Sequence, residues 1–544
     1  HERMGAFVER IVDSNYGYTR THLLHGDAWL KEAVFGVDGD VGGSWFDGSK
    51  RGILAPFAAG TIDQALMAVM NVRHGFVRAF GLLGKVVILD EVHSYDTFTG
   101  TILNKLVKEL LKMHCTVIIL SATLTAKQKK TLLGIDESKI LSEAYPLVST
   151  AIQNTNKTIL EYPCELQSTD SVAVSCTSDF KKCIEEALKR ANQKQQVLWI
   201  ENTVQEAQDI YRLLSARCSG TSIECGLLHS RFIANDRQKI ENKWVALYGK
   251  DGQGLRKEKG RILVGTQVLE QSIDIDSDFM VSRLCPTDML LQRTGRLWRH
   301  QKNNTLRQLI GAKREVFILA PSLQEAYIKE GVFGRSGKVY SEYVLLRSLE
   351  VLSEYEFISV PGDIRTLIDK TYTERKEEGL AAKYKYQLEI KKETLQSLAR
   401  VGLSKAVNTL PESKASTRYS ELENTEVLLL SNKMITDDGM RLVFLDGSTI
   451  DINIPTKNRK RIREIASTIK RNTVKVLDYL APEVNTGINS FKDFVYIGAN
   501  SDEEPFRAAI VSRDNEIVGL DTSQANKTYI LHYDNNMGYQ SEKR

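Results

Sequence analysis

The chain has 544 residues and a formal net charge of +4, so charge alone does not indicate a polyanionic partner. Its hydrophobic content of 42% and charged content of 26% are typical of globular proteins, and this length predicts three or four domains. Apolar runs too short to cross a membrane exclude a membrane protein, and seven scattered cysteines without a CxxC pair predict reduced thiols, a cytoplasmic location and no structural zinc.

The N-terminal part carries few chemical signals. Residues 1–35 have apolar side chains at helical spacing, and residues 37–51 are rich in glycine, aspartate and serine, as in a loop. Thr61 follows Gly60 and precedes a helical pattern over residues 65–72. Its neighbouring backbone N–H groups could meet an anion such as a phosphate. A plain capped core helix explains these residues equally well.

The stretch KVVILDEVHSYD, residues 85–96, is the most informative. Residues 86–89 are aliphatic and predict a strand buried on both faces, as in a parallel sheet. The strand ends at Asp90 and Glu91, and open α/β sheets bind ligands at the carboxyl ends of their strands. Two such acids suit a Mg²⁺-nucleotide site, in which one holds the cation and the other orients the attacking water. Alone, the pair would read as a solvated strand end.

A second strand supports the nucleotide hypothesis. A helical pattern over residues 98–113 leads to an apolar strand over residues 116–120, which ends at Ser121 and Thr123. Strand, acid pair, helix, strand and hydroxyl pair follow the order of a βαβ unit. Hydroxyls in that position can bond the acids and transmit their state. Periodicity then fades over residues 145–178, which predicts a linker between two lobes.

A second α/β sheet is predicted from strands at residues 196–200, 225–228, 261–264 and 316–319. Its last turns contain GTQVLEQSIDIDSD, residues 265–278, and QRTGRLWRH, residues 292–300. On a helix Gln292, Arg296 and Arg299 would share one face, with Arg293 beside them. Guanidinium groups neutralise the charge that develops in phosphoryl transfer. A solvated basic helix is the alternative.

In this order, DEVH, SAT, GTQVLEQSIDID and QRTGRLWRH resemble motifs II, III, V and VI of superfamily-two DExH helicases. More narrowly, GTIDQAL, GLLGKVVILDEVHSYD, LHSRF and QRTGRLWRH resemble the helicase-nuclease of type I CRISPR systems. The resemblance covers most of the chain. The 544 residues contain neither the family's GxGKT phosphate loop nor the His/Asp cluster of its HD nuclease domain. We therefore expect an N-terminally truncated chain, with the metal ions of the HD domain belonging to the missing part.

The resemblance implies an α/β fold with two RecA-like parallel-sheet lobes, the first incomplete, a helical linker and a small C-terminal domain. The expected boundaries are 1–145 for the first lobe, 146–178 for the inter-lobe linker, 179–325 for the second lobe, 326–410 for the helical linker and 411–544 for the C-terminal domain.

The resemblance also implies the site. ATP is expected between the lobes, with Asp90 holding Mg²⁺, Glu91 activating water and His93 coupling hydrolysis to motion. The second lobe is expected to add Gln292, Arg296 and Arg299, while further nucleotide-side residues are Ser121, Thr123, Asp274 and Arg293. The residues expected to face nucleic acid are Gly60, Thr61, Gln64, Ser230, Arg231, Gly265, Thr266 and Gln267.

The implied process is ATP-driven 3′-to-5′ movement on single-stranded DNA after a Cascade-type surveillance complex has opened a target. Because the phosphate loop is missing, these 544 residues alone are expected to hydrolyse ATP negligibly. Two alternatives stay open. One is another DExH helicase acting on RNA or DNA, and the other is a non-catalytic nucleic-acid-binding module.

Overall fold

A computed structural model describes residues 22–24 and 52–544, apart from 93–95, 137–140, 153–157, 166–169, 271–272, 405–408, 410–416, 420–421, 437–438, 453–457, 484–496, 498–505 and 522. His93 and most of the predicted N-terminal helix and loop lie outside the described residues. Within them, no helix is long and apolar enough to span a membrane.

The first lobe combines short strands with helices. Its elements are β1 (His22–Leu24), β2 (Ala58–Gly60), α1 (Ile62–Leu66), α2 (Gly75–Leu82), β3 (Val86–Leu89), α3 (Thr97–Lys112), β4 (Thr116–Ile119), α4 (Ala126–Leu133), β5 (Leu147–Ile152) and β6 (Thr158–Pro163). β1 pairs in parallel with β2, so the helix predicted over residues 1–35 is wrong at residues 22–24. β5 and β6 form an antiparallel hairpin inside the predicted inter-lobe linker.

The strand that ends in the acid pair is buried on one face only. β3 pairs in parallel with β4, and α3 connects them, as the βαβ pattern predicts. Val87 and Leu89 pack with α3 in the core, whereas Val86 and Ile88 are 63% and 51% exposed. The prediction of a strand buried on both faces is therefore wrong, because among the described residues no second layer covers this sheet.

The second lobe is built on a seven-stranded sheet with the order β13-β7-β12-β11-β8-β10-β9. All neighbours pair in parallel except β13 and β7. The elements are β7 (Asp170–Thr177), α5 (Phe180–Asn192), β8 (Gln196–Ile200), α6 (Val204–Cys218), β9 (Glu224–Leu228), α7 (Ala234–Tyr248), α8 (Gln253–Arg256), β10 (Arg261–Gly265), β11 (Phe279–Arg283), α9 (Thr287–Thr294), α10 (Asn304–Leu309), β12 (Glu315–Leu319) and β13 (Phe357–Val360).

Three strands of this sheet, β7, β11 and β13, were not predicted. β7 lies in the range predicted as inter-lobe linker, and β13 lies in the range predicted as helical linker. β7 and β13 lie at one side of the sheet, whereas β11 lies between β12 and β8. The central strands β8 and β10, by contrast, are buried along their full length, as their apolar runs predict.

A helical segment joins the two lobes. It contains α11 (Leu323–Ile328), α12 (Ser336–Val339), α13 (Glu342–Ser353), α14 (Ile364–Tyr372) and α15 (Gly379–Leu403). The start of α15 buries Ala381 and Tyr384 in the core of the second lobe. Its end buries Leu395 and Ala399 in the core of the first lobe, against α3. α15 therefore spans from one lobe to the other.

The C-terminal part forms a six-stranded sheet and a separate hairpin. Its elements are β14 (Asn424–Thr436), β15 (Gly439–Phe444), β16 (Thr449–Ile452), α16 (Arg459–Arg471), β17 (Thr473–Leu477), β18 (Arg507–Val511), β19 (Ile517–Val518), β20 (Tyr529–Asp534) and β21 (Gly538–Lys543). Ile233 of the second lobe packs in the same cluster as Leu531, Tyr533 and Tyr539 of the hairpin β20–β21. The hairpin is therefore seated on the second lobe.

Candidate nucleotide and nucleic-acid site

The acid pair lies at the carboxyl end of β3, where the sequence places it. Asp90 and Glu91 are both exposed, and the Glu91 amide donates to the Asp90 carboxylate at 3.0 Å. Glu91 has a φ of 55°, in the left-handed region that residues with a Cβ seldom adopt. Such backbone is costly and concentrates at functional sites. The turn leaves both carboxylates at the protein surface.

The hydroxyl residues lie next to the acid pair. The Leu120 amide donates to the Leu89 carbonyl at 2.9 Å, which holds the ends of β4 and β3 side by side. Beyond it the Thr123 amide donates to the Ser121 hydroxyl at 3.4 Å. Thr123 is buried, and its Oγ1 has no hydrogen-bond partner among the described residues. An enclosed hydroxyl without a partner is costly, and it suits a group that bonds in another state of the site.

The segment that carries the arginines is not one helix, which corrects the prediction. α9 ends at Thr294, and Gln292 and Arg293 alone lie on it. Beyond Gly295 the Ser277 amide donates to the Arg296 carbonyl, and the Trp298 amide donates to the Ser277 carbonyl, both at 2.9 Å. These backbone hydrogen bonds replace those of a helix. The spacing i, i+4, i+7 therefore does not align Gln292, Arg296 and Arg299.

Arg293 is enclosed rather than facing a ligand. Its side chain is 0% exposed, and its guanidinium donates to the Glu270 carboxylate at 2.7 Å, the Ser282 hydroxyl at 2.8 Å and the Asn202 amide oxygen at 2.9 Å. The predicted nucleotide contact of Arg293 is thus not met in this structure. The arginine instead ties β8, β11 and the residue Glu270 to α9.

The other two arginines lie closer to solvent and to the first lobe. Burial lowers the pKa of Arg296, and the Arg299 cation lowers it further, while the carboxylates of Asp274 and Glu91 raise it. Glu91 of the first lobe is therefore near enough to interact with Arg296 of the second. Arg299 Nε lies 2.9 Å from Asp274 Oδ1, and both side chains are about two-fifths exposed. The acid pair of the first lobe and the arginines of the second thus come together through Glu91 and Arg296.

The first-lobe residues predicted to face nucleic acid are accessible. Gly60 and Thr61 are exposed at the junction of β2 and α1, and Thr61 makes no side-chain cap. The Gln64 side-chain oxygen accepts two hydrogen bonds from Arg78, both at 3.3 Å. Asp63, which precedes Gln64 on α1, accepts a hydrogen bond from the Thr417 hydroxyl at 2.7 Å. The C-terminal part of the chain thus contacts the start of α1.

The second-lobe candidates divide into enclosed and accessible residues. Gly265 and Thr266 are buried, and a Cβ on Gly265 would come within 2.4 Å of the Leu228 carbonyl oxygen. The Gln267 side-chain amide donates to the Asn202 carbonyl at 3.0 Å and to Tyr340 at 3.1 Å. These contacts contradict the prediction that all three face a nucleic acid, because the end of β10 is packed under neighbouring elements. By contrast, Ser230 is exposed and Arg231 is half-buried.

Two residues that hold the Arg293 side chain in place were not identified from the sequence. Glu270 and Asn202 bind Arg293 and are themselves buried. Glu270 lies within the motif of residues 265–278, and Asn202 follows the buried strand β8 directly. A polar residue at the carboxyl end of a strand was therefore the available signal. Their partner could not be read from spacing, since Asn202 and Arg293 lie 91 positions apart.

A separate cavity lies away from these residues. A space of about 590 Å³ is lined by Glu143 and Tyr145 and by residues of α13 and α14. Its cations are already paired, since Arg347 and Arg375 bind Glu350, Arg365 binds Asp369, and Lys370 binds Glu354. A charge-balanced cavity of this kind does not suit a phosphate. The cleft between the acids and the arginines is the better nucleotide candidate.

The two α/β lobes, with acids on one side of a cleft and arginines on the other, define the class of two-lobed DExH-type helicases. Comparison with known proteins narrows that class. A family model described as "CRISPR-associated nuclease/helicase Cas3, C-terminal" matches residues 193–302. The chain belongs to this Cas3 family and carries its helicase part, because a Cas3 relative is 30% identical over 68% of the chain.

Similar proteins cover more of the chain. It is 30% identical over 432 residues to the CRISPR-associated endonuclease/helicase Cas3 of Thermus thermophilus, which covers 68% of this chain and 45% of the relative. It is 34% identical over 338 residues to the Escherichia coli endonuclease/helicase Cas3, covering 60% of this chain and 37% of the relative. The chain thus spans less than half the length of these relatives.

A solved structure extends the similarity to the fold. The crystal structure of T. fusca Cas3 with ATP has a TM-score of 0.82 and 26% identity, and the match covers 99% of this chain and 63% of that one. The predicted fold class, two RecA-like lobes with a helical linker and a C-terminal domain, is confirmed by this match. The resemblance to the helicase part of this family, which the sequence motifs indicated, is confirmed as well.

Proposed function

We propose that this chain is the motor part of an ATP-dependent 3′-to-5′ single-stranded DNA helicase of type I CRISPR interference. The observation that carries the proposal is that Asp90 and Glu91 end a strand of the first lobe while the second lobe presents Arg296 and Arg299, with the charge of Glu91 acting on Arg296. Phosphoryl transfer needs carboxylates to hold the metal ion and orient the attacking water, and guanidinium groups to stabilise the charge of the transition state. The first lobe supplies the carboxylates, and the second lobe supplies the guanidinium groups. ATP as the nucleotide is supported by the similar T. fusca structure, which holds ATP.

The donor set suits Mg²⁺ held jointly with a nucleotide. Among the described residues no cluster of three or more His, Cys, Asp or Glu side chains could hold a metal by itself. Mg²⁺ bound to nucleotides characteristically uses one or two carboxylates, waters and phosphate oxygens. Asp90, exposed at the strand end, fits that role. When bound, the ion would neutralise charge on the phosphates.

The roles of the other residues follow from their positions. Glu91 orients the attacking water and accepts its proton, since its carboxylate is exposed and faces the arginines. Arg296 and Arg299 stabilise the negative charge of the transition state, and Gln292 and Asp274 orient them. Ser121 and Thr123, next to the acid pair, transmit the state of the site to the nucleic-acid side.

The nucleic-acid strand is proposed to cross both lobes at Gly60, Thr61 and Gln64 on the first and Ser230 and Arg231 on the second. Backbone N–H groups, hydroxyls and an arginine on phosphates suit movement without sequence preference. The partner proposed is a Cascade-type surveillance complex, on the strength of the CRISPR-associated relatives. A cytoplasmic location agrees with seven cysteines that form no disulfide.

A strand-displacement assay tests this function. The protein expressed from its complete coding sequence should unwind 3′-tailed DNA duplexes with ATP and leave 5′-tailed duplexes intact. Glu91→Gln should abolish unwinding while Glu464→Gln, an exposed glutamate on α16, leaves it unchanged. Preference for RNA duplexes would instead establish the RNA-helicase alternative.

A second measurement addresses the non-catalytic alternative. These 544 residues alone should hydrolyse ATP negligibly, because they contain no GxGKT loop to hold the phosphates. Robust turnover by the isolated chain that Glu91→Gln abolishes would overturn this expectation. If the complete protein also lacks turnover while it binds single strands, the chain is a binding module.

A further inference from the structure

The turn of the C-terminal hairpin contacts the second-lobe loop that follows β9. The Tyr539 amide donates to the Arg231 carbonyl at 2.8 Å. On the other side of the turn, the buried Gln208 side chain of α6 donates to the Met537 carbonyl at 2.7 Å and to the Tyr539 carbonyl at 3.0 Å. Residues 537–539 are therefore fixed between α6 and the loop of residues 229–231. Nothing in the sequence motifs indicates this contact, because its partners lie about 300 positions apart.

The side chain of His229 joins the loop to the hairpin. Its Nδ1 lies 3.1 Å from the Arg231 amide, which can only donate, so Nδ1 is the unprotonated nitrogen of the neutral ring. Nε2 then carries the hydrogen and donates to the Met537 carbonyl at 3.1 Å. The ring also stacks on Phe232, with centroids 4.5 Å apart. Burial lowers the pKa of His229 to about 3, so the neutral ring and both hydrogen bonds persist at ordinary pH.

Gly538 allows the close approach. Its φ is +67°, and a Cβ built there would lie 2.5 Å from the Arg231 carbonyl oxygen and 2.9 Å from His229 Cε1. Any side chain at this position must push the loop away, since the nearest atom belongs to backbone. Glycine is thus required both by the backbone conformation and by the contact.

We propose that residues 537–539 position the second-lobe loop for its nucleic-acid strand, with His229, Gly538 and Gln208 as positioning residues. The inference rests on the proposed function, in which Ser230 and Arg231 contact the strand. Displacing the hairpin leaves the lobe folded but moves the exposed Ser230 and the Arg231 backbone out of register with the phosphates. The C-terminal domain thereby controls how tightly the second lobe holds DNA.

Two glycine variants provide the test. Gly538→Ala places a methyl group against the loop, whereas Gly447→Ala is its matched control. Gly447 also lies in the C-terminal domain with φ +81°, but no atom lies within 4 Å of the position of its Cβ. Both substitutions therefore incur the same kind of backbone strain, and only Gly538→Ala displaces the loop.

The measurement is the affinity of the 544-residue chain for fluorescent oligo(dT), recorded at several salt concentrations. Gly538→Ala should weaken binding about tenfold and lower the slope of log affinity against log salt by about 0.7, the value for one lost phosphate contact on a single strand. Gly447→Ala should stay within about twofold with an unchanged slope. Simple loss of folded protein lowers the active fraction and leaves the slope unchanged.

His229 variants separate the two hydrogen bonds and replace Gly538→Ala if that variant fails to fold. His229→Gln can keep a donor for Met537 near the position of Nε2, but it has no acceptor at the position of Nδ1 for the Arg231 amide, and it should also lower the salt slope. Unchanged affinity and slope in folded Gly538→Ala or His229→Gln, or an equal loss in Gly447→Ala, overturn the inference. Failure of the wild-type chain to bind oligo(dT) at all overturns the proposed strand path itself, and the inference falls with it.

Discussion

The two lobes support the two halves of the candidate site in different ways. In the second lobe Arg293 is 0% exposed and bonds to Glu270, Ser282 and Asn202. In the first lobe Asp90 and Glu91 end a strand whose sheet, in the part of the chain that the structure describes, has two strands and one exposed apolar face. The arginine half is held by buried polar contacts, whereas the acid half depends on a turn at the protein surface.

A second buried network strengthens this contrast. Asp276 and Asp278 lie beneath the arginine segment, and both bind Arg256 and Arg307 with all four side chains almost fully buried. Buried charges require such pairing because a charge without a partner is costly. The acids of the motif at residues 265–278 therefore have separate roles: Asp276 and Asp278 hold the fold, while exposed Asp274 pairs with Arg299.

The largest expected effect concerns Arg293. Arg293→Ala should lower the free energy of unfolding by about 3–5 kcal/mol, because it leaves the carboxylate of Glu270 buried without its partner. Urea denaturation followed by circular dichroism measures the loss. The double variant Arg293→Ala with Glu270→Ala should recover part of it. A loss below about 1 kcal/mol would show that the second lobe is not held by this arginine.

Much of the fold followed from apolar runs and their ends. The strands at β3, β4, β8, β9, β10 and β12 were predictable because consecutive aliphatic residues stop at polar turns. β7, β11 and β13 were missed because none of them has more than three consecutive apolar residues. Burial of Val86 was predicted wrongly, since a run of aliphatic residues does not reveal how many layers cover a sheet.

The candidate site was predictable as a set of residue types, but not as a geometry. The charges of Glu91 and Arg296 interact across the two lobes, whereas the roles expected for these residues stay predictions. Whether an arginine faces the ligand or the core depends on backbone contacts such as that of Ser277 with Arg296. Those contacts end α9 early, and they come from residues that no spacing rule connects. For the same reason, the sequence did not predict that Gly265 and Thr266 are buried beneath neighbouring elements.

A pH experiment sharpens the account of the second lobe. Burial, and then the cations Arg231 and Arg237, lower the pKa of His229 to about 3, below its ordinary value of about 6.5 in the unfolded chain. The unfolded state therefore binds more protons between these values, and stability present above pH 6.5 is lost as the pH falls. His229 should contribute a loss of about 2 kcal/mol between pH 6.5 and 5.

The comparison that isolates this contribution is wild type against His229→Gln, with urea unfolding at each pH. The difference in stability between the two proteins should shrink as the pH falls from 6.5 to 5. A constant difference over that range would mean that His229 is accessible to protons in the folded state, so the hairpin does not cover it.

Adjacent valines test the one-sided burial of the first lobe. Val87→Thr should cost about 1–3 kcal/mol, because Val87 is 8% exposed and the new hydroxyl enters an apolar core. Val86→Thr should stay within about 0.5 kcal/mol, since this side chain is 63% exposed and threonine keeps the β-branched shape. Both are measured by thermal and urea unfolding. Equal costs would indicate that the second face of β3 is also covered in solution.

Arg299 should contribute little to stability and much to catalysis. Its ion pair with Asp274 is about two-fifths exposed on each side, and such pairs contribute at most about 1 kcal/mol. Arg299→Ala should therefore unfold almost as wild type does, while it lowers ATP turnover of the complete protein roughly 10³-fold, as loss of an arginine finger does.

Arg217→Ala is the matched control for Arg299→Ala. Arg217 of α6 pairs with Glu185 of α5, and its side chain has a similar exposure of 49%. It should change neither stability nor turnover. If Arg299→Ala instead loses stability as Arg293→Ala does and keeps its turnover, the division between structural and ligand-facing arginines in QRTGRLWRH is wrong. In that case Arg293 and Arg299 would both be structural residues, and the proposal that the nucleotide binds between the acids and the arginines would lose its support.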